Sequence, residues 1–128
     1  MDKLNENTNA LNWFEIPATN MERATKFYET IFDIKMSLME IMGFQMAMFP
    51  SQTPKSGGAL VKSPSHIPSA EGSIIYLNGN PDLQLVLNKI EGAGGKILMP
   101  KTNIDPETGN MAFFMDTEGN LVGVHSQE

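Results

Sequence analysis

Apolar positions recur along this chain with two different periods, and the switch between those periods itself occurs twice. Residues Asn12-Trp13-Phe14-Glu15-Ile16-Pro17-Ala18 make a short apolar stretch. From Thr19 the spacing changes. Ala24, Phe27, Tyr28 and Ile31 fall at i, i+3, i+4 and i+7, which puts them on one stripe of a helix. Thr19 and Glu22 match a capping box, in which hydroxyl and carboxylate each satisfy a free amide of the first turn. A helix over 19–32 is the expectation. About sixty residues later the pattern returns with Ser73-Ile74-Ile75-Tyr76-Leu77-Asn78, followed by Leu83, Val86, Leu87 and Ile90 at helical spacing. Asn80 suits a cap, Pro81 the first helical position and Asp82 the positive helix start, predicting a helix over 81–92. Gly92, Gly94 and Gly95 end it, because glycine accepts the left-handed conformation of a C-terminal cap.

Three short strands follow each helix. In the first half they are expected near 34–40, 43–49 and 58–62, with breaks at Gly43 and from Pro50 to Gly58. In the second half they are expected near 96–101, 110–116 and 121–125, broken by Asp105-Pro106-Glu107-Thr108-Gly109 and Thr117-Glu118-Gly119-Asn120. The order is βαβββ, twice, an α+β chain. Module one covers about 12–63, a polar, proline-punctuated linker 64–72, and module two about 73–126. Residues 1–11 read as a flexible tail. Neither half is long enough to bury a good core alone, so 12–128 is expected to fold as one domain.

Composition then removes several function classes. With 41% hydrophobic residues among 128, the chain still has no apolar run near the ~20 residues of a membrane helix. Met1–Asn12 is polar and lacks the apolar stretch of a signal peptide. There is no cysteine, which excludes disulfides and thiolate catalysis and is compatible with the cytoplasm, the expected location. A net charge of −6 and a single arginine, Arg23, speak against nucleic acid or anionic membranes as partners. Gly92-Ala93-Gly94-Gly95 follows a helix instead of preceding one, so it cannot cradle phosphate. No Ser/His/Asp set has a strand-to-helix elbow to present it.

Three stretches carry a family resemblance. They are Trp13-Phe14-Glu15-Ile16-Pro17 through Arg23-Ala24-Thr25-Lys26-Phe27-Tyr28, the Gly94-Gly95-Lys96-Ile97 turn, and Asp116-Thr117-Glu118-Gly119-Asn120. In this order they resemble the vicinal oxygen chelate superfamily of glyoxalase I, bleomycin-resistance proteins and extradiol dioxygenases. The resemblance implies a glyoxalase-like fold, with two βαβββ modules forming a curved mixed sheet around a cavity and the helices outside. It also implies a homodimer. Metal-dependent members place one His or Glu on each of four central strands, where an octahedral metal polarises two adjacent substrate oxygens. Here those positions fall on Trp13, on Ile74 (or Ser73 with a one-residue shift) and on Gly123. The remaining strand, Gly58-Ala59-Leu60-Val61-Lys62, has no ligand type at all. Neither metal nor another cofactor is expected.

What chemistry remains lies in few residues. His66, flanked by prolines in the linker, reads as a solvated loop residue. Strand alternation puts His125 with Leu121 and Gly123 on the face that the resemblance assigns to the cavity, and Trp13 with Glu15 on the equivalent face of the first strand. Glu15 and His125 are therefore candidate acid and base. The plainer reading leaves Glu15 a hydrated wall residue and His125 frayed near the C-terminus. Phe44, Met46 and Met48 share one strand face and Met111, Phe113 and Met115 another, either as adaptable ligand walls or as packing against the helices. Candidate ligand-binding residues are Trp13, Glu15, Met46, Met48, Ile74, Tyr76, Phe113, Gly123 and His125, with Lys101 at the rim to neutralise an anion. Three functions follow. The first is a metal-free protein binding a small apolar or aromatic molecule. The second is a lyase, isomerase or hydrolase using Glu15 and His125. The third is a non-catalytic structural or interaction module.

Overall fold

Both βαβββ units form. The structure, a computed structural model, describes residues 2–128. Module one is β1 (Trp13–Pro17), α1 (Met21–Phe32), β2 (Ser37–Ile41), β3 (Phe44–Met48) and β4 (Gly57–Lys62). Module two is β5 (Tyr76–Asn78), α2 (Leu83–Ile90), β6 (Lys96–Asp105), β7 (Gly109–Met115) and β8 (Leu121–Ser126). The strands make two four-stranded mixed sheets, ordered β1-β4-β3-β2 and β5-β8-β7-β6. In each, the first strand runs parallel to the fourth and the other pairs are antiparallel. Residues 2–12 carry no helix or strand, and no helix among the described residues is long and apolar enough to cross a membrane.

Both helices start later than their patterns suggest, for the same reason. Asn20, not Thr19, caps α1: its side chain accepts from the Arg23 amide at 3.0 Å. Thr19 is unavailable because its amide and hydroxyl both donate to Glu118, 99 residues away. Asp82, not Asn80, caps α2 by accepting from the Gln84 amide at 2.9 Å. The Asn80 side chain instead accepts from the Gln127 amide. In each case a distant partner outcompetes the local cap. The glycine-rich end of α2 is as expected, with Gly94 in the left-handed region at φ 104 and the Gly95 amide closing onto Ile90.

One hydrophobic core serves both modules. Ile16, Leu60 and Ala47 from the first sheet join Leu77, Ala112, Phe114, Val122 and Val124 from the second, with Phe27, Tyr28 and Ile31 of α1 and Leu83, Leu87 and Ile90 of α2 between. The helices thus lie on the inner side of both sheets. The remaining faces point outward. Phe27 meets Tyr28 edge-on at 5.0 Å and Phe114 at 6.0 Å, so an aromatic cluster crosses the module boundary.

Polar contacts at one end of that boundary are dense. The Glu118 side chain, fully buried in the β7–β8 turn, accepts from the Thr19 and Asn20 amides at 2.9 and 2.8 Å. It also accepts from the Thr19 hydroxyl and pairs with Arg23 at 2.7 Å. Asp116 in the same turn accepts from the buried Tyr28 hydroxyl at 2.7 Å, and Asn120 donates to the Pro17 carbonyl. Burial and the neighbouring Asp116 charge push the Tyr28 phenol well above its ordinary value. Burial also pushes the Glu118 carboxyl upward, but hydrogen bonds from Arg23, Asn20, Thr117 and Thr19 outweigh it, leaving the pKa lowered from 4.5 to about 2.

Two predictions follow from this packing. Phe27→Ala should destabilise by about 3–5 kcal/mol and Leu87→Ala by about 2–5 kcal/mol, read from denaturant unfolding with unchanged slope. Glu118 has a folded pKa below its unfolded one, so its contribution to stability is present above pH 4.5 and lost as pH falls towards 2. Glu118→Gln should be less stable at neutral pH and should lose less on acidification across that window, as measured by thermal unfolding against pH.

Candidate functional site

The outward face of each sheet is built by strand alternation opposite the shared core. On the first sheet, Phe14 and Ile16 pack inward, so Trp13 and Glu15 point outward. Met46, Ala59 and Val61 form a separate small cluster there, flanked by Phe44 and Met48. On the second sheet, Ala112, Phe114, Val122 and Val124 pack inward, which turns Met111, Phe113, Met115, Gly123 and His125 outward. Both methionine stripes therefore face away from the helices. Trp13, at 41% exposure, lies outside the core, and Met39, Ile41, Ile74 and Tyr76 are exposed as well. Monomeric proteins seldom leave contiguous apolar patches of this kind without a use for them.

The two faces share a motif. A Cβ added to Gly57 would meet the Trp13 ring at 3.3 Å, and one added to Gly123 would meet the Tyr76 ring at 2.6 Å. Each aromatic ring lies over a glycine of the parallel neighbouring strand, in the registers Trp13↔Gly57 and Tyr76↔Gly123. Tyr76 also packs against Phe113, centroids 5.7 Å apart. At Gly123 the absence of a side chain makes room for an aromatic ring.

Glu15 has a histidine partner, but it is His66 and not His125. The His66 Nε2 lies 2.7 Å from the Glu15 carboxylate and its Nδ1 2.6 Å from the Ser63 hydroxyl. The Trp13 indole N–H donates to the other carboxylate oxygen at 3.2 Å. Because the carboxylate can only accept, the Nε2 carries the proton; in the neutral imidazole Nδ1 then accepts from the Ser63 hydroxyl. His66 packs edge-on against Phe44, with its side chain only 18% exposed. The linker thus folds back over the sheet face, correcting the expectation of a solvated loop residue. These contacts, the His66 hydrogen bond foremost, overcome partial burial and hold the Glu15 carboxyl below its ordinary value. Beneath the linker lies a hollow of about 210 Å³, bordered by Glu15, Pro17, Ile67, Ser69, Ile75 and Leu121.

His125 does point outward as strand alternation requires, yet its Nε2 bonds the Thr108 carbonyl. It sits on β8, in the other sheet, with Thr108 as its partner, while Glu15 is taken by His66, so the expected Glu15–His125 pair does not form. Lys101 is also placed differently. Irregular register in β6 turns it towards α2, where it pairs with the cap residue Asp82 at 2.8 Å, so it is not at the rim. Sequence reading missed Ser63 and the role of His66. The available signal was that Ser63 continues the Ala59, Val61 alternation, with Pro64 and Pro68 stiffening the return of the chain.

The residues present do not suit the metal site of the resembled family. Trp13, Ile74 and Gly123, which the resemblance puts at its ligand positions, are not metal ligands, and Ile74 precedes β5 instead of lying on it. Among the described residues no three His, Cys, Asp or Glu side chains come together as a metal would need. What the arrangement offers is apolar and aromatic surface with one carboxylate–imidazole–hydroxyl series at its edge.

Comparison with known proteins places this geometry in context. A family model, the Glyoxalase/Bleomycin resistance protein/Dioxygenase superfamily, matches residues 10–124. A glyoxylase-like domain-containing protein of Didymella fabae is 31% identical over 120 residues, which cover 86% of this chain and 88% of the relative. Among solved structures, TnmS3, an antibiotic binding protein from Streptomyces sp. CB03234, superposes with a TM-score of 0.70 at 17% identity, covering 97% of this chain and all of the other (100%). Glyoxalase I from Zea mays gives a TM-score of 0.64 at 17% identity, covering 91% of this chain and 44% of the maize chain. At such identities the structural likeness speaks for the fold alone. The family match and the Didymella relative go further: the chain belongs to the glyoxalase, bleomycin-resistance and dioxygenase superfamily.

Proposed function

We propose that this protein is a metal-free member of its superfamily that binds a small apolar or aromatic molecule on the outward sheet faces. The observation carrying this reading is the exposure of Trp13 and Tyr76 on faces opposite the core, beside methionine stripes whose side chains are buried or half-buried there. Thioethers adapt their shape to a ligand, while tryptophan and tyrosine supply rigid stacking surface. The likeness to an antibiotic binding protein agrees with a binding role. The lack of cysteine suits a reducing compartment such as the cytoplasm.

A homodimer completes this proposal. β1 and β5 each lie at the edge of their sheet with one side unpaired. Open edges beside apolar faces favour association, and a two-fold axis can lay the β1 edge of one chain along the β5 edge of its partner. Each joined edge would then set a Trp13 face beside a Tyr76 face from the partner. Light scattering at micromolar concentration should give twice the chain mass, and a monomer mass would refute the pairing. In a thermal-shift and fluorescence screen of aromatic compounds, a binder should raise the melting temperature and perturb the only tryptophan, Trp13. Trp13→Ala should weaken that binding by about 2 kcal/mol or more. Binding unaffected by Trp13→Ala would overturn the site.

The Ser63–His66–Glu15 series favours a second reading, an enzyme of lyase, isomerase or hydrolase type with His66 as base and Glu15 as its orienting carboxylate. Glu15→Gln and His66→Gln separate the two. Under the binding reading they change affinity modestly. Under the enzymatic one they abolish turnover of a bound compound while its dissociation constant is retained.

A further inference from the structure

The two modules repeat one order of elements, yet their corresponding connections are not alike. The β7–β8 connection, 116–120, closes over the start of α1 through Glu118 and Asp116. The β3–β4 connection, 49–56, occupies the equivalent place opposite the start of α2. It reads Phe49-Pro50-Ser51-Gln52-Thr53-Pro54-Lys55-Ser56, with no carboxylate to reach a helix start. Asp82 already caps α2 and takes Lys101 as partner, so nothing draws the connection in. Between them lies a hollow of about 530 Å³, on the helix side of the fold and lined by neither Trp13 nor the methionine stripes.

Its lining is chemically divided. Phe14, Phe32 and Phe49 supply aromatic wall from module one, and Leu77 and Val86 supply apolar wall from module two. Phe14 and Phe49 pack at 5.4 Å, Tyr28 stacks on Phe32, and Tyr28 meets Phe49 edge-on, so this wall is held by the core itself. Asn78, Asn80 and Lys89 line the module-two side. The Asn78 side-chain oxygen accepts from the Asn80 amide and that of Asn80 from the Gln127 amide. An amide whose oxygen is engaged offers its N–H groups, so this side presents donors and one ammonium. Asp33 lines the α1 side, and the Asp82 carboxylate is already neutralised by Lys101.

We propose that this hollow is a second ligand site, taking a planar aromatic molecule that bears an anionic group. Its volume falls within the range of small-molecule sites, and apolar walls with a few polar side chains along the lining are their make-up as well. The rings stack on the ligand body, and Lys89 with the two asparagines receives the anion. Asp33 confines that anion to the α2 side.

The test uses 8-anilinonaphthalene-1-sulfonate and its uncharged analogue N-phenyl-1-naphthylamine, each titrated into ¹⁵N-labelled protein. With the sulfonate, a saturable set of amide shifts should gather at Phe32, Asn80, Leu85 and Lys89, whether or not a second set arises on the outward faces. Lys89→Glu should weaken the sulfonate about tenfold, the scale of one charge-assisted hydrogen bond, and leave the uncharged analogue unchanged. Shifts confined to the outward faces, shifts confined to residues 2–12, no saturable shifts, or indifference to Lys89→Glu would each overturn the proposal. Because the readout is residue by residue, it stands or falls independently of the outward-face site.

Discussion

A carboxylate removed from water must be repaid in hydrogen bonds, and Glu118 is. It sits in a turn of module two and takes the free amides that open the first helix of module one, together with the only arginine of the chain. The start of a helix carries partial positive charge, so a carboxylate from elsewhere in the chain is stabilised there while Asn20 keeps the local cap. Asp116 and Asn120 extend the contact to Tyr28 and Pro17. Three residues of one five-residue turn thereby fix one module against the other with directional bonds, while the core beneath supplies the apolar energy.

The placement of everything functional follows. With both helices and the inner sheet faces drawn into a single core, residues of opposite strand parity have nowhere to go but outward. Those residues are aromatic and thioether side chains where polar ones would be ordinary for solvated sheet. A sheet with one face on the core and one in water normally alternates apolar with polar. Here the alternation is apolar with apolar. This apolar surface includes the strand positions Trp13 and Gly123, where the family resemblance puts the ligands of metal-dependent members.

The Glu15–His66 pair illustrates how strand parity fixes one partner of a contact and a loop supplies the other. β1 keeps Glu15 on the outward face whatever the linker does, because strand parity decides it. The histidine comes from the linker, which its own hydrogen bonds and the prolines shape into a return. A chain with only two histidines has thus placed one of them beside its outward carboxylate and tied the other to a backbone carbonyl.

The sequence by itself determined the elements and their faces. The change from period two to period 3.6 marked β1, α1, β5 and α2, and parity correctly set Trp13, Glu15, Gly123 and His125 on the faces opposite the core. These are local properties, carried by a few residues of backbone geometry. Partnership was decided only in three dimensions. Thr19 lost its capping role to Glu118, Lys101 turned to Asp82, and Glu15 met His66 instead of His125, each through a contact between residues far apart in the chain. Spacing along a strand fixes where a side chain points but not what arrives in front of it. That depends on how two sheets share one core, which is settled by the summed packing of both modules at once.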